Sequence, residues 1–291
     1  MKRKEICREI YDKIFCYINK GNIDIFLCGA ASTKKKISYR DQIRNAIEPN
    51  KYLSILYPED LFMELLDRKK YDLLTLEKFL AKNSDLIVIV CESPGSFTEL
   101  GAFVNNVETV SKVVVLLQTK YKNAKSFIRQ GPIEYIKKRD KNNVIYFNND
   151  IDMTVENINK YIRYKFGYFG MRRKEIIFKD LNLISGQYYY IVLLLFFLKD
   201  LLVKNLVNNI KEIYLDKGYD ENEFDVIYSS SIRRLFRDGL IKKEVSNEGI
   251  KYNLTEKGYV FAEMILNYVN IRNRTKIINN IRMKVLYDLY Y

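Results

Sequence analysis

The first 165 residues alternate short apolar segments with amphipathic ones, and this alternation constrains the fold more than any other feature. Five segments have the length and composition of buried strands, and helical patterns separate them. The strand segments are residues 23–28, 52–57, 85–91, 113–118 and 144–147. Strands that alternate with helices favour a parallel sheet with helices on both faces. The sequence therefore predicts an α/β fold with a doubly wound, mostly parallel sheet.

The second half of the chain follows a different pattern. Near residue 170 the alternation stops, and Gly167 and Gly170 flank aromatic residues ahead of the basic Arg172-Arg-Lys174. We therefore predict one domain at residues 1–170 and a second at residues 171–291. In the second domain, apolar helical segments precede two short strands around Asn247-Glu-Gly249. This order is typical of a winged helix-turn-helix domain, here followed by a C-terminal helix.

Composition restricts the available chemistry. The 291-residue chain has no histidine, which excludes Ser-His and Cys-His nucleophile pairs and imidazole metal ligands. No glycine-rich phosphate loop follows any predicted strand, so nucleoside triphosphate hydrolysis is disfavoured. The four cysteines lack the spacing of a metal site and the density of a disulfide scaffold. Any catalysis must rest on carboxylates, hydroxyls or thiols.

Three features of the sequence bear on where the protein acts. Sparse cysteines are typical of reduced thiols in a cytoplasm. The chain opens as an amphipathic helix without the pattern of a secretory leader. The longest apolar run, residues 188–198, is about half as long as a bilayer requires. We therefore expect a cytoplasmic protein without membrane contact.

The formal net charge of +13 is spread over both halves of the chain and suggests a polyanionic partner. Cations cluster on the predicted recognition helix and on the predicted wing, where they could contact phosphates. They are Arg233, Arg234 and Arg237 on the helix and Lys242, Lys243 and Lys251 on the wing. A protein-binding module and a solvated charged face are the alternatives.

A strand, a tight loop and a helix start follow one another between residues 86 and 103. Pro94-Gly95 ends the apolar run, and Glu99 falls in the first turn of the predicted helix. Ligands of open α/β sheets bind outside the carboxyl ends of the strands, where helix N-termini offer free N–H groups. Ser96-Phe-Thr-Glu99 also fits a helix capping box. The spacing allows catalysis, capping or both.

Two more loops follow predicted strands and should meet the first at the same edge of the sheet. They contain Cys28-Gly29-Ala30 and Tyr57-Pro-Glu59. Their convergence with residues 92–99 predicts a site for a polar ligand at this edge.

These segments resemble the nucleoside deoxyribosyltransferase-like domain of bacterial retron effector proteins. The resemblance covers residues 24–135 in consistent order, and the stretch at residues 92–103 is its most specific part. The matching segments are residues 26–30, Arg40, residues 57–62, 73–77, 80–81, 92–103, 105–106, 125–128 and 131–132. In the second half only a winged-helix arrangement is shared.

The resemblance implies chemistry at an N-glycosidic bond, with Glu99 acting at the anomeric carbon of a nucleoside or nucleotide. For retron effectors it implies hydrolysis of NAD to nicotinamide and ADP-ribose, with NAD as substrate and neither cofactor nor metal. Such a toxin is restrained by a reverse transcriptase and its branched DNA-RNA product (msDNA), in a higher-order assembly, until phage infection. Plain deoxyribosyltransferases are about half this length and lack the second domain, which favours the effector.

Other residues of the matching segments are candidates for the same site. Glu92 and Glu77 could assist Glu99 by holding ribose hydroxyls or a water. Candidate substrate contacts are Cys28, Gly29, Ala30, Arg40, Tyr57, Glu59, Ser93, Gly95 and Ser96. The structural alternatives are a solvated strand end for Glu92, a surface helix position for Glu77, dipole complementarity for Glu59 and a surface ion pair for Arg40.

Two other functions remain open. The chain could be a nucleoside deoxyribosyltransferase or nucleotide N-glycosidase, or a regulator whose degenerate nucleotide pocket senses a ligand without catalysis while the winged helix acts.

Overall fold

The computed structural model describes residues 3–18, 21–50, 52–61, 72–167, 178–199 and 201–290. The chain divides into two compact units. The sheet unit comprises Asn22–Glu175, and the helical unit comprises Met1–Gly21 together with Ile176–Tyr291. Helix α1 (Arg3–Lys13) and a 3-10 turn (Phe15–Tyr17) open the chain and belong to the helical unit.

The sheet unit is built on five parallel strands, which confirms the predicted parallel sheet. They are β1 (Ile23–Cys28), β2 (Leu53–Leu56), β3 (Leu86–Cys91), β4 (Val113–Gln118) and β5 (Val144–Phe147). Their order is β2-β1-β3-β4-β5, with every neighbouring pair parallel. The order reverses between β1 and β3, and ligands of such sheets bind at the carboxyl ends of strands where this happens.

Helices connect these strands. They are α2 (Tyr39–Ile47), α3 (described over 58–61), α4 (Leu73–Asn83), α5 (Pro94–Val104), α6 (Glu134–Arg139) and α7 (Ile151–Phe166). A π-helical turn (Arg129–Ile133) leads into α6, and 3-10 turns lie at Val110–Lys112, Thr119–Tyr121 and Lys141–Asn143. Helix α2 packs against β1 and α7, whereas α5 packs against β3 and β4.

Strand β3 lies between β1 and β4, and each of its residues is at most 1% exposed. A strand covered on both faces has no polar face, so its sequence is an unbroken apolar run rather than an alternating one. This burial fixes the position of the loop that follows β3 and of the start of α5.

The helical unit consists of helices and one antiparallel hairpin, in the predicted order. Its further elements are α8 (Ile184–Phe197), α9 (Val203–Asp216), α10 (Glu221–Arg237), β6 (Ile241–Ser246), β7 (Gly249–Leu254), α11 (Glu256–Asn267) and α12 (Arg274–Tyr290). Register pairs Ile241 with Leu254 and Ser246 with Gly249. Helix α8 is buried nearly throughout and contacts α1, α10, α11 and α12. None of the helices described has the length and apolarity that a bilayer span requires.

Helix α1 lies with the second half of the chain, whereas the sequence analysis grouped it with the sheet. Ile6, Cys7 and Ile10 of α1 are fully buried, and Tyr190 Oη donates to the Cys7 carbonyl at 2.7 Å. Amphipathicity predicts that α1 buries one face but cannot identify the partner, which is distant in sequence. The boundary expected at residue 170 falls within 168–177, outside the described residues.

The close approach of α8 to the preceding loop gives a stability prediction. A Cβ atom at Gly186 would lie 1.8 Å from the carbonyl oxygen of Asp180, so the backbone must move to admit alanine. We expect Gly186→Ala to destabilise the protein by more than about 2 kcal/mol, measured as a lower denaturant midpoint. The control is Gly101→Ala in α5, where nothing lies within 4 Å of the new methyl and helix propensity improves. Equal midpoints for the two variants would contradict this packing.

Candidate active site

Glu99 is not the cap of helix α5. Ser93 is the N-cap, and its hydroxyl accepts a hydrogen bond from the Ser96 amide at 3.2 Å. The Ser96 hydroxyl in turn accepts from the Ser93 amide at 3.1 Å. The predicted capping box between Ser96 and Glu99 is therefore wrong. Proline is favoured at the first helical position because it lacks the N–H that would be unsatisfied there, so α5 begins at Pro94.

The Glu99 side chain has an unsatisfied buried oxygen. With the helix starting at Pro94, Glu99 lies in the second turn, and its Oε2 atom is buried and has no hydrogen-bond partner among the residues that the structure describes. Burial raises the pKa of Glu99 to about 7, and the negative charge of Glu77 adds to the effect. Buried carboxylates are normally hydrogen-bonded, and strongly raised pKa values concentrate at functional sites. Glu99 therefore has the environment of a reacting group.

Two buried thiols locate the Glu99 carboxylate in the fold. Cys28 ends β1 and Cys91 ends β3. Burial raises the pKa of both thiols, and the charge of Glu99 is the second cause in each case. Glu99 is thus electrostatically coupled to the carboxyl ends of the two strands between which the strand order reverses.

Glu99 is part of an acidic cluster. Burial raises the pKa of Glu77 on α4, and the charge of Glu59 raises it further. Glu59 also raises the pKa of Glu99, whereas Arg40 lowers it. Glu77 is therefore a member of the cluster and not a plain surface helix residue. The cluster concentrates negative charge at one place on the sheet edge.

Arg40 is the cation of this cluster, and it is already paired. It is 8% exposed, and it donates from Nη1 to Glu59 Oε1 and from Nε to Asp41 Oδ1, each at 3.2 Å. Its guanidinium lies 4.5 Å from the centre of the Tyr57 ring. The surface ion pair considered for Arg40 is therefore a mostly buried network. Two of its donors are directed at protein groups, which suits a positioning role.

Glu92 joins the end of β3 to helix α2. Its two carboxylate oxygens accept hydrogen bonds from the amides of Tyr39 and Arg40, both at 3.1 Å. These amides belong to the first turn of α2, where a negative charge also complements the helix dipole. The Glu92 carboxylate therefore helps to position Arg40, which corrects its expected place at a solvated strand end, whereas its contact with substrate stays a prediction.

Close packing explains the glycine after β1. A Cβ atom at Gly29 would lie 2.9 Å from Cβ of Arg40 and 3.2 Å from Cβ of Val90. Gly29 thus allows α2 to approach the strand ends. Three other predicted substrate contacts are partly or fully exposed at this edge, namely Ala30, Ser93 and Gly95. The remaining two, Cys28 and Ser96, are buried, and the Ser96 hydroxyl is occupied by the hydrogen bonds of the helix cap.

Sequence reasoning missed Asp41 and Arg44. Asp41 Oδ1 accepts from Arg40 and from Tyr57 Oη at 3.3 Å, and Arg44 lies 4.4 Å from the centre of the same ring. Tyr57 is thereby held between two guanidinium groups. The spacing of Arg40 and Arg44, one helical turn apart on a predicted helix, was the available signal.

The cations predicted to contact nucleic acid differ in their exposure to solvent. Arg234 is 1% exposed, donates from Nη1 to Ser185 Oγ at 2.7 Å and lies 4.4 Å from the centre of the Tyr188 ring. It holds α10 against α8 and is not available to a phosphate, so that assignment is wrong. Among the other predicted cations, Arg237, Lys242 and Lys243 are exposed, and Arg233 and Lys251 are partly buried.

No group of three or more Cys, Asp or Glu side chains within the described residues could hold a metal ion. The four cysteines are free thiols, of which Cys7, Cys28 and Cys91 are buried and Cys16 is partly exposed.

Comparison with known proteins identifies relatives of the chain. The family described as STM3845 retron effector protein matches residues 36–243. A protein of Escherichia coli retron Ec86, named for a proposed ribosyltransferase and DNA-binding function, is 40% identical over 124 residues. A protein of E. coli retron Ec73 with the same description is 34% identical over 149 residues. These matches cover 42% and 48% of this chain, and the chain spans only 40% and 46% of the two relatives.

The raised pKa of Glu99 gives a pH-dependent stability prediction. Between pH 4.5 and about 7 the folded protein binds more protons at Glu99 than the unfolded chain does, so this group's contribution to stability is lost as pH rises. Glu99→Gln removes the titration. We expect the stability of the variant relative to wild type to improve by up to about 3 kcal/mol between pH 4.5 and pH 8. Urea unfolding across this range measures the difference, with Glu108→Gln at an exposed position as control. A difference for Glu99→Gln that stays constant with pH would contradict the buried carboxylate.

Proposed function

The chain belongs to the STM3845 retron effector family, and from this premise we propose that it is a toxic effector that cleaves the N-glycosidic bond of NAD. The products are nicotinamide and ADP-ribose. The observation that carries the proposal is the Glu99 carboxylate, which has a buried, unbonded oxygen and a pKa raised to about 7. The relatives' names, which refer to a ribosyltransferase, support chemistry at the anomeric carbon of a ribose.

The proposed reaction suits a site without histidine. When the bond between ribose C1′ and the nicotinamide nitrogen breaks, its electron pair goes to the pyridinium, which leaves as neutral nicotinamide. Positive charge develops on the ribose, where the Glu99 carboxylate stabilises or traps it, as carboxylates do in glycoside hydrolysis. Water then adds to C1′ and releases one proton. Because the leaving group begins as a cation, no acid has to protonate it.

The acidic cluster favours NAD over an uncharged nucleoside. The charge of Glu59 raises the pKa of Glu77, the charges of both acids raise the pKa of Glu99, and Arg40 offsets only part of this effect. A nicotinamide ring carries a positive charge and would relieve this repulsion on binding. A neutral deoxynucleoside offers no such compensation. We therefore place the nicotinamide ribose against Glu99, with Glu77 near its hydroxyls or the attacking water.

The helical unit supports a proposal about regulation. We propose that α9, α10 and the β6-β7 hairpin form a winged helix-turn-helix, with Arg237, Lys242 and Lys243 as its exposed cations. In the cytoplasm these cations would hold msDNA together with the reverse transcriptase, in an assembly that restrains the toxin until phage infection. The relatives' names also describe a DNA-binding protein.

The enzymatic proposal is tested with purified protein and NAD. We expect nicotinamide release by wild type and by Glu108→Gln, and a loss of at least about 1,000-fold in Glu99→Gln, because an amide cannot supply the negative charge. The matched substitutions replace one carboxylate that has a buried oxygen and one on an exposed residue. Near-normal NAD cleavage by a folded Glu99→Gln protein would refute the proposed role of the carboxylate.

Substrate choice and reaction type can be tested together. With NAD and excess adenine, hydrolysis yields ADP-ribose, whereas transfer yields a new N-glycoside of adenine. Deoxyinosine in place of NAD tests a neutral nucleoside. We expect ADP-ribose from NAD and at least 100-fold slower cleavage of deoxyinosine. Efficient deoxyinosine cleavage or base exchange would reassign the protein as a deoxyribosyltransferase.

Nucleic-acid binding by the hairpin is tested with three neutral substitutions, Arg237→Gln, Lys242→Gln and Lys243→Gln. We expect weaker binding of msDNA and a shallower salt dependence, by about one in log–log slope for each phosphate that is no longer neutralised. The control removes three exposed cations of the same unit through Lys204→Gln, Arg272→Gln and Lys276→Gln. If the two triple variants weakened binding equally, net charge alone would account for the binding, and the proposed contact by the hairpin would be refuted.

A further inference from the structure

A groove lies on the sheet unit between α5 and the helical segment that includes the π-helical turn and α6. It encloses about 670 Å³. Its apolar lining includes Val104, Val107, Phe127, Pro132 and Tyr135. No atom of the described ranges lies within 4 Å of a Cβ position at Gly101, so α5 leaves its side of the groove open. Glu99, Glu77 and Arg40 do not line this groove, which makes it separate from the candidate active site.

Aromatic rings project from the segment that forms one wall. Phe127 is 84% exposed, and a Cβ atom at Gly131 would lie 3.5 Å from its ring, so a larger residue at this position would cover part of the ring. Tyr135 is 47% exposed. The two rings are eight residues apart in a continuous helical stretch, or roughly 12 Å along its axis. An exposed ring of this kind is a stacking surface with little to pack against in the isolated chain.

The same segment carries much of the chain's positive charge. Residues 120–141 contain eight lysines and arginines and two acids, a surplus of six out of the total of +13. The acid within the groove, Glu134, accepts from Arg129 Nη1 at 2.9 Å and is neutralised. The exposed cations are Lys120, Lys122, Lys125, Lys138, Arg139 and Lys141.

Cations and rings are paired on this surface. The Arg139 guanidinium lies 5.1 Å from the centre of the Tyr135 ring and donates to Tyr135 Oη at 3.0 Å. Lys120 lies 4.8 Å from the centre of the Tyr121 ring, and Lys122 lies 5.3 Å from that of Tyr146. A base that stacks on such a ring brings its phosphate within reach of the neighbouring cation.

We propose that this surface, residues 120–141 with the adjoining groove, binds single-stranded nucleic acid. Surfaces that bind single strands combine a positively charged groove with aromatic side chains on which bases stack, and both are present here. An acidic protein would use the cations but offers no bases to stack on the exposed rings of Phe127 and Tyr135. A duplex would present phosphates but no unstacked bases for Phe127. The surface belongs to the sheet unit, and the lining of its groove includes neither Glu99 nor a residue of the hairpin.

The test uses the full chain and fluorescently labelled dT20 and U20, with binding followed by anisotropy at several salt concentrations. We expect Phe127→Ala with Tyr135→Ala to weaken binding at least tenfold at every salt concentration, because stacking does not depend on salt. Lys138→Gln with Arg139→Gln should weaken binding and reduce the salt slope. The controls are Tyr164→Ala, an exposed tyrosine of α7, and Lys78→Gln with Lys160→Gln, two exposed lysines of the same unit.

Photocrosslinking identifies directly where the bound oligonucleotide lies on the protein. With 4-thiouridine in place of the central bases of U20, we expect crosslinks at Phe127, Tyr135 or their neighbours within residues 120–141. Crosslinks confined to residues 221–254, or site and control variants that bind alike, would overturn the proposal. The proposal would also be overturned if an acidic polypeptide such as polyglutamate bound to the protein and lost the same affinity in the Phe127→Ala, Tyr135→Ala variant. The rings would then contribute to binding without stacking on bases. NAD cleavage by the variants should stay at the wild-type rate.

Discussion

The rest of this site depends on a carboxylate at the reversal point of the sheet, Glu99, which has a buried oxygen that no described part of the chain hydrogen-bonds. Leaving Glu99 Oε2 buried and unbonded costs free energy, and the pKa of about 7 expresses that cost. The fold bears it because β3 is buried along its whole length and because Ser93 and Ser96 cap α5 by themselves. Since the cap does not need Glu99, the carboxylate is free for chemistry.

Arg40 organises the surroundings of Glu99 without being directed at a ligand. Glu92 fixes the first turn of α2 through two backbone amides, and Gly29 lets Arg40 approach the strand ends. Tyr57 stacks on the Arg40 guanidinium, and Glu59 pairs with it. Removing any of these interactions would move the Arg40 guanidinium, whose positive charge lowers the pKa of Glu99. Burial is the largest cause of the raised pKa of Glu99, and the Arg40 network counteracts part of it.

Much of this fold follows from the sequence, whereas the contacts within the site do not. Apolar runs predicted all five strands, because a strand buried on both faces needs a continuous run such as residues 86–91. Glu92 accepts hydrogen bonds from Tyr39 and Arg40, which precede it in the sequence by 53 and 52 positions. Local sequence patterns contain no information about contacts over such separations. The start of α5 was missed because two serines and a proline offered competing cap positions. Arg234 was misassigned because its charge suggested exposure, whereas Ser185 and Tyr188 on a distant helix bury it.

The most direct measurement is the titration of Glu99 itself. Protein labelled with ¹³C at glutamate Cδ gives one carboxyl resonance per glutamate, and Glu99→Gln identifies the resonance of Glu99 by its disappearance. We expect a midpoint near pH 7 for wild type and a lower midpoint when Glu77→Gln removes the neighbouring charge. A midpoint near 4.5 in wild type, unaffected by Glu77→Gln, would contradict the central claim that this carboxylate is buried and unpaired.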